Sequence, residues 1–188
     1  MATTFDQIAK FLQKDKVQFT YSEFEGTEYL EVTYETTNYR NPQGERQITV
    51  LIRFASGPGL YMCVPGAFEV GEGNLGAAAV AACLIQWRTD YVQFEFDDAS
   101  SEIRPCVEIP IYDAKLSQQQ VVACLDALLF AVEDYAAVLG HACKEGVIDF
   151  ELFDKEDGAD APSAQLASML AQFTPEQIQA AVAARGKK

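Results

Sequence analysis

The chain has 188 residues, 49% of them apolar and 22% charged, which suits one ordinary domain with a well-filled core. Its formal net charge of −14 sets up a field that repels a phosphate backbone, which argues against nucleic-acid binding. No apolar run reaches the roughly 18 residues that a membrane-spanning helix needs, and Met1–Asp6 offers neither a basic region nor an apolar stretch, so a cytoplasmic protein without a signal peptide is expected.

Thr4 can cap a first helix, with Gln7 completing a capping box and Phe5, Ile8, Phe11 and Leu12 sharing one face up to about Lys16. Val17, Phe19 and Tyr21 then alternate with polar residues, as do Leu30, Val32 and Tyr34, with Gly26-Thr27 marking a turn between two strands. Asn41-Pro42-Gln43-Gly44 precedes a third strand, Ile48–Phe54, and Ser56-Gly57-Pro58-Gly59 a fourth, Leu60–Val64. Pro65–Gly73 is a glycine-rich loop that opens an alanine-rich helix over Asn74–Trp87. Tyr91–Asp97 and Glu102–Ile109 alternate about Asp98-Ala99-Ser100-Ser101, a second hairpin.

One long helix is predicted from Ser117 to about Glu145. Ser117 and Gln120 form its capping box, Leu116 staples onto Val121, Val122, Leu125, Leu129, Val132 and Leu139 form its core stripe, and Gly146 ends it. From Asp149 the composition changes. Asp154–Pro162 reads as an acidic linker, and Thr174, Pro175 and Gln177 announce a short helix in the tail.

Gly71-Glu72-Gly73-Asn74-Leu75-Gly76 spells the G-x-G-x-x-G of a dinucleotide fingerprint, with Asp97 about 20 residues on. Glu72 would set a carboxylate beside the pyrophosphate, and the strand ending at Asp97 turns back on itself instead of crossing over, so a plain loop before a helix is the preferred reading. His141 is the only histidine, which any Ser-His-Asp or Cys-His scheme would have to use; near the end of the long helix it reads as a polar helix-end residue. Cys63, Cys83, Cys106, Cys124 and Cys143 include no C-x-x-C and sit mostly among apolar neighbours, as buried thiols do. Asp154–Asp160 fails as a calcium loop, with Phe153 and Ala164 where acids are required. Tyr29, Tyr34, Tyr91, Phe94, Phe96 and Tyr112 lie on or near strands, either as an exposed partner surface or as core beneath a helix.

The stretch Ala81-Ala82-Cys83-Leu84-Ile85-Gln86-Trp87-Arg88-Thr89-Asp90-Tyr91-Val92-Gln93-Phe94-Glu95-Phe96-Asp97, followed by Ile103–Ile109 and a capped helix at Ser117, resembles the YbjN-like family, whose fold is that of the type III secretion chaperones. The likeness covers about residues 4–148, and it departs from the family pattern where Gln86 and Arg88 stand in place of a late asparagine. The resemblance implies an acidic, chaperone-like binding protein without cofactor, often a homodimer, with the middle helix in the dimer interface. Here that helix carries Val80, Leu84 and Trp87.

The sequence thus predicts an α+β fold, an antiparallel sheet with flanking helices in the order α-β-β-β(-β)-α-β-β-α, over residues 1–148. An acidic linker and short helical tail follow over 149–188, where Phe173 and Ile178 could meet the domain or a partner. The expected function is non-enzymatic binding of another polypeptide, with no catalytic, cofactor or metal residues. The alternative is a nucleotide- or dinucleotide-binding protein using Gly71–Gly76.

Overall fold

The computed structural model describes residues 3–24, 26–54 and 59–157. Helix α1 (Phe5–Lys14) begins at the expected capping box: Thr4 Oγ1 accepts from the Gln7 amide at 3.4 Å, and the Thr4 amide donates to Gln7 Oε1 at 3.1 Å. The strands β1 (Thr20–Phe24), β2 (Thr27–Glu35), β3 (Gln47–Phe54) and β4 (Gly59–Cys63) follow as an antiparallel run, and then the two-residue β5 (Phe68–Glu69). Helix α2 (Leu75–Arg88) leads into the hairpin of β6 (Gln93–Asp97) and β7 (Glu102–Pro110).

Strand β7 holds the sheet together. Cys106 lies between Cys63 of β4 and Gln93 of β6, and Ile103 lies between Phe68 of β5 and Phe96 of β6. Strands β4 and β5 therefore run along one edge of β7 and β6 along the other, with β1, β2 and β3 continuing beyond β4. Both β5 and β6 are antiparallel to β7, so they are parallel to each other, and α2 is the crossover between them.

Alternation sends Leu30, Val32, Val50, Ile52, Leu60, Met62, Ile103 and Val107 into one continuous core shared with the helices. The other side of the sheet carries a separate small cluster of Tyr61, Cys63 and Cys106 with Leu51 packed against it.

The helix expected over Ser117–Glu145 is two helices, α3 (Gln118–Asp134) and α4 (Ala136–Glu145), parted at Tyr135 with φ −106° and ψ 12°. Its cap is as predicted, with Ser117 donating to Gln120 Oε1 at 2.8 Å and the Gln120 amide donating to Ser117 Oγ at 3.2 Å. Burial accounts for the break: the Tyr135 ring is fully enclosed, 6.2 Å from Phe130 and 6.3 Å from Phe153, and α4 sets off anew to bury Val138, Leu139, Ala142 and Cys143. The inward stripe of α3 centres on Val121, Leu125, Leu128 and Val132, while Val122 and Leu129, expected in it, are half-buried. Gly146, at φ 70°, ends α4 as predicted.

Residues beyond the boundary read at 148 form a further helix, α5 (Phe150–Asp157), which runs into the stretch read as linker. Its Phe153 is fully buried, with the Arg88 guanidinium 4.7 Å from its ring centre. Phe153→Ala is expected to lower stability by about 3–5 kcal/mol in urea unfolding, the usual loss for a buried phenylalanine. A loss under about 1 kcal/mol, the size of a surface substitution, would mean that α5 contributes nothing to the packed core.

Candidate functional site

The glycine loop serves the fold. Asn74 Nδ2 donates to the carbonyls of Cys143 at 3.1 Å and Lys144 at 2.8 Å, and the Gly71 amide donates to the same Cys143 carbonyl at 2.9 Å. These are carbonyls at the C-terminal end of α4, which a helix leaves without intrahelical partners. The loop thus caps α4 and fixes where α2 begins. A side chain at position 71 would crowd the capping contact, because a Cβ there would stand 2.8 Å from Asn74 Nδ2 and 3.3 Å from the Cys143 oxygen. The strand before the loop has two residues and pairs with the antiparallel β7, unlike the long parallel strand of a dinucleotide fold.

Helix α2 has two apolar faces. Gly76, Ala78, Ala81, Ala82 and Ile85 face inward, and their small side chains let α2 lie close to α4. Ala79, Cys83 and Trp87 point outward, and Trp87 is 81% exposed. Of the interface residues expected from the resemblance, Val80 and Leu84 are half-buried at the margin of this face and Trp87 stands free at its end. The whole helix holds no acidic residue, and Arg88 is its only charge. Apolar residues on all sides are the mark of a helix that something covers on both flanks. Phe173 and Ile178 lie outside the described residues.

Edge strand β6 runs beside α2 with its free edge partly closed, since the Phe94 amide donates to Gln86 Oε1 at 3.3 Å. The strand aromatics divide. Tyr34 and Phe94 pack against the core, Tyr29 is half-buried, and Tyr91, Phe96 and Tyr112 are exposed. Tyr91 also borders an open cleft of about 570 Å³ between the end of β7 and the start of α3, with Ile109, Ala123 and Cys124 among its walls. A larger cleft of about 750 Å³ lies between α4 and the loop joining β2 to β3. Glu133 fixes that loop by accepting from the amides of Thr37, Asn38 at 2.8 Å and Tyr39 at 3.0 Å.

On the side of the sheet away from the described helices, Tyr61 donates to Glu95 Oε2 at 2.7 Å. Arg104 Nε lies 3.4 Å from the same oxygen, and Arg104 Nη1 lies 3.0 Å from Asp97. Burial first, then the neighbouring Cys63 and Glu95, push the Tyr61 hydroxyl far above the usual phenol range. Burial likewise pushes the thiols up, Cys63 to about 11 and Cys106 to about 12. These groups are neutral at physiological pH, which suits packing and disfavours nucleophilic attack. His141 sits near the end of α4 with Nδ1 3.1 Å from the Val147 carbonyl oxygen, a helix-end position as expected. Among the described residues no three His, Cys, Asp or Glu side chains are grouped to hold a metal ion, and no helix is long and apolar enough to cross a membrane.

Sequence reasoning missed Asn74, Glu133 and the Tyr61–Cys63–Cys106 cluster. Each depends on a partner distant in the chain, and the only local signal was the glycine spacing around Asn74.

Among solved structures, the chain is similar to YbjN from E. coli, described as a candidate transcription regulator, with a TM-score of 0.51 and 10% identity. The fold matches that of YbjN. The likeness covers 73% of this chain and 94% of YbjN, and at this identity it shows the α+β architecture with its curled antiparallel sheet and nothing finer. No family model matches the sequence, and no curated protein does.

Asn74→Ala should destabilise the domain by about 0.5–1.5 kcal/mol in urea unfolding, because the Lys144 carbonyl loses its donor and the Cys143 carbonyl keeps only the Gly71 amide. Calorimetric titration with NAD and with ATP should give no binding heat. Micromolar binding that Gly73→Val abolishes would contradict the structural reading of the loop.

Proposed function

We propose that this chain is a non-enzymatic protein-binding domain, an adaptor or regulatory interaction protein, and that the outward face of α2 pairs two copies of it. The observation that carries the reading is Trp87, 81% exposed at the end of a helix without acidic residues. Tryptophan is the side chain most often found at the energetic centre of protein interfaces.

Charge limits where a second copy can meet the first. Two molecules of net charge −14 repel each other over most of their surfaces. A helix face of Ala79, Val80, Cys83, Leu84 and Trp87 brings no like charges together, and a two-fold axis can place the same patch on both sides. Phe173 and Ile178 are proposed as a second contact, with the domain or with a client.

The description of YbjN as a candidate transcription regulator supports a regulatory role. With a strongly acidic chain, such a role is exerted through protein contacts and not by gripping DNA.

Light scattering on the full chain tests the proposal. The wild type should have the mass of a dimer, and Trp87→Ala should weaken association by at least about 30-fold, the loss of about 2 kcal/mol expected of an interface hot spot. Because Trp87 is exposed within one copy, the variant should keep its circular dichroism, and its melting temperature should fall only by the share that association contributes. A monomeric wild type, or a dimer that Trp87→Ala leaves unchanged, would overturn the α2 interface.

A further inference from the structure

The side of the sheet away from the described helices places two cysteines opposite each other. Cys63 of β4 and Cys106 of β7 are Cα partners in an antiparallel pair. One residue further along, the Val64 amide donates to the Pro105 carbonyl at 3.1 Å. In an antiparallel ladder hydrogen-bonded and non-hydrogen-bonded pairs alternate, so Val64–Pro105 is a hydrogen-bonded pair and Cys63–Cys106 a non-hydrogen-bonded one. Non-hydrogen-bonded partners have their Cα atoms about 4.5 Å apart and their side chains on one face, inside the range of about 4.4–6.8 Å that a disulfide spans. Both cysteines are free thiols packed in one small cluster with Tyr61.

We propose that Cys63 and Cys106 form a site of reversible disulfide modification, a cross-strand bond tying β4 to β7, made by exchange with a low-molecular-weight disulfide.

The two positions have different roles in the exchange. Cys63 is 7% exposed and Cys106 1%, so Cys63 is the sulfur an incoming molecule reaches. Burial raises both thiols most and Glu95 adds to the rise at both, while the guanidinium groups of Arg104 and Arg53 offset part of it at Cys63. The Cys63 thiolate attacks one sulfur of the small disulfide, forms a mixed disulfide and releases one small thiolate. Cys106 then gives up its proton to solvent, and its thiolate attacks Cys63 Sγ and expels the second small thiolate. Two protein thiols and one small disulfide become one protein disulfide and two small thiols. The protein pair is oxidised and the small disulfide reduced, with no further reactant. Burial keeps both thiols protonated at neutral pH, so the exchange is slow there and speeds up under mildly alkaline conditions.

The bond would close a loop running from β4 through β5, α2 and β6 to β7, adding a covalent tie to the strand that already joins these elements. It lies on the side of the sheet away from the helices, so it is independent of the α2 face.

The test incubates the full chain in glutathione redox buffers of graded potential at mildly alkaline pH, then alkylates the remaining thiols and reads the mass. Cys83 is exposed, so a Cys83→Ser background keeps copies from cross-linking and makes the bridged peptide report on Cys63. The expected product has lost two hydrogen atoms and two alkylatable thiols, carries a peptide linking positions 63 and 106, and reverts with dithiothreitol. Cys63→Ser should retain all its thiols in the same buffers, Cys106→Ser should stop at a mixed glutathione disulfide on Cys63, and the oxidised parent should melt at a higher temperature than the reduced one. In the parent, full retention of thiols in the most oxidising buffer, mixed glutathione adducts without a 63–106 link, or a bond between other cysteines would each overturn the proposal.

Discussion

The architecture depends on β7 being paired on both edges. Its first residues lie between β5 and β6, and its later ones continue along β4, so one strand joins the four-strand run to the hairpin. Because β5 and β6 flank β7, the chain must cross from one side to the other, and α2 is that crossing. The crossing has to fit between the sheet and α4. Alanine at positions 78, 81 and 82 meets that need, since larger side chains would hold the two helices apart.

A crossover helix that is small and apolar on its inner side need not be apolar on its outer side, yet α2 is. Ala79, Cys83 and above all Trp87 lie on the flank that the described residues leave open, with Gln86 the exposed polar residue of the helix. The rest of the molecule is heavily acidic, so the contrast between this face and its surroundings is one of charge as well as polarity. That contrast underlies the proposed role. The glycine loop, by contrast, is occupied with the end of α4. Its backbone and the Asn74 side chain meet helix carbonyls, which are acceptors, where a nucleotide site would turn its donors toward phosphate.

Elements that depend on neighbouring residues were legible in the sequence. Both capping boxes, the hairpin about Asp98–Ser101 and the terminator Gly146 are signals written within a few positions. The break at Tyr135 was not legible, because no proline or glycine marks it and its cause is a ring buried against α5. A one-position error in the α3 stripe has the same source: several adjacent apolar residues leave the inward face undecided until the sheet is in place. The glycine spacing at 71–76 encodes a tight turn into a helix, and both a phosphate loop and a helix-capping loop begin that way. Only Cys143 and Lys144, far along the chain, distinguish them. A phenylalanine in an acidic stretch is itself a sign of burial, and Phe153 is fully buried. The opposition of Cys63 and Cys106 requires the register of β4 on β7, which no local pattern reveals.

Trp87 is the only tryptophan in the chain, so its fluorescence reports directly on the outward face of α2. The emission maximum and iodide quenching, followed from dilute to concentrated protein, test the central claim of protein binding through that face. The account predicts a water-exposed, readily quenched indole in the dilute protein, with emission moving to the blue and quenching falling as the copies associate. Emission that stays red and fully quenchable at concentrations where light scattering shows association would contradict it, because the interface would then lie elsewhere.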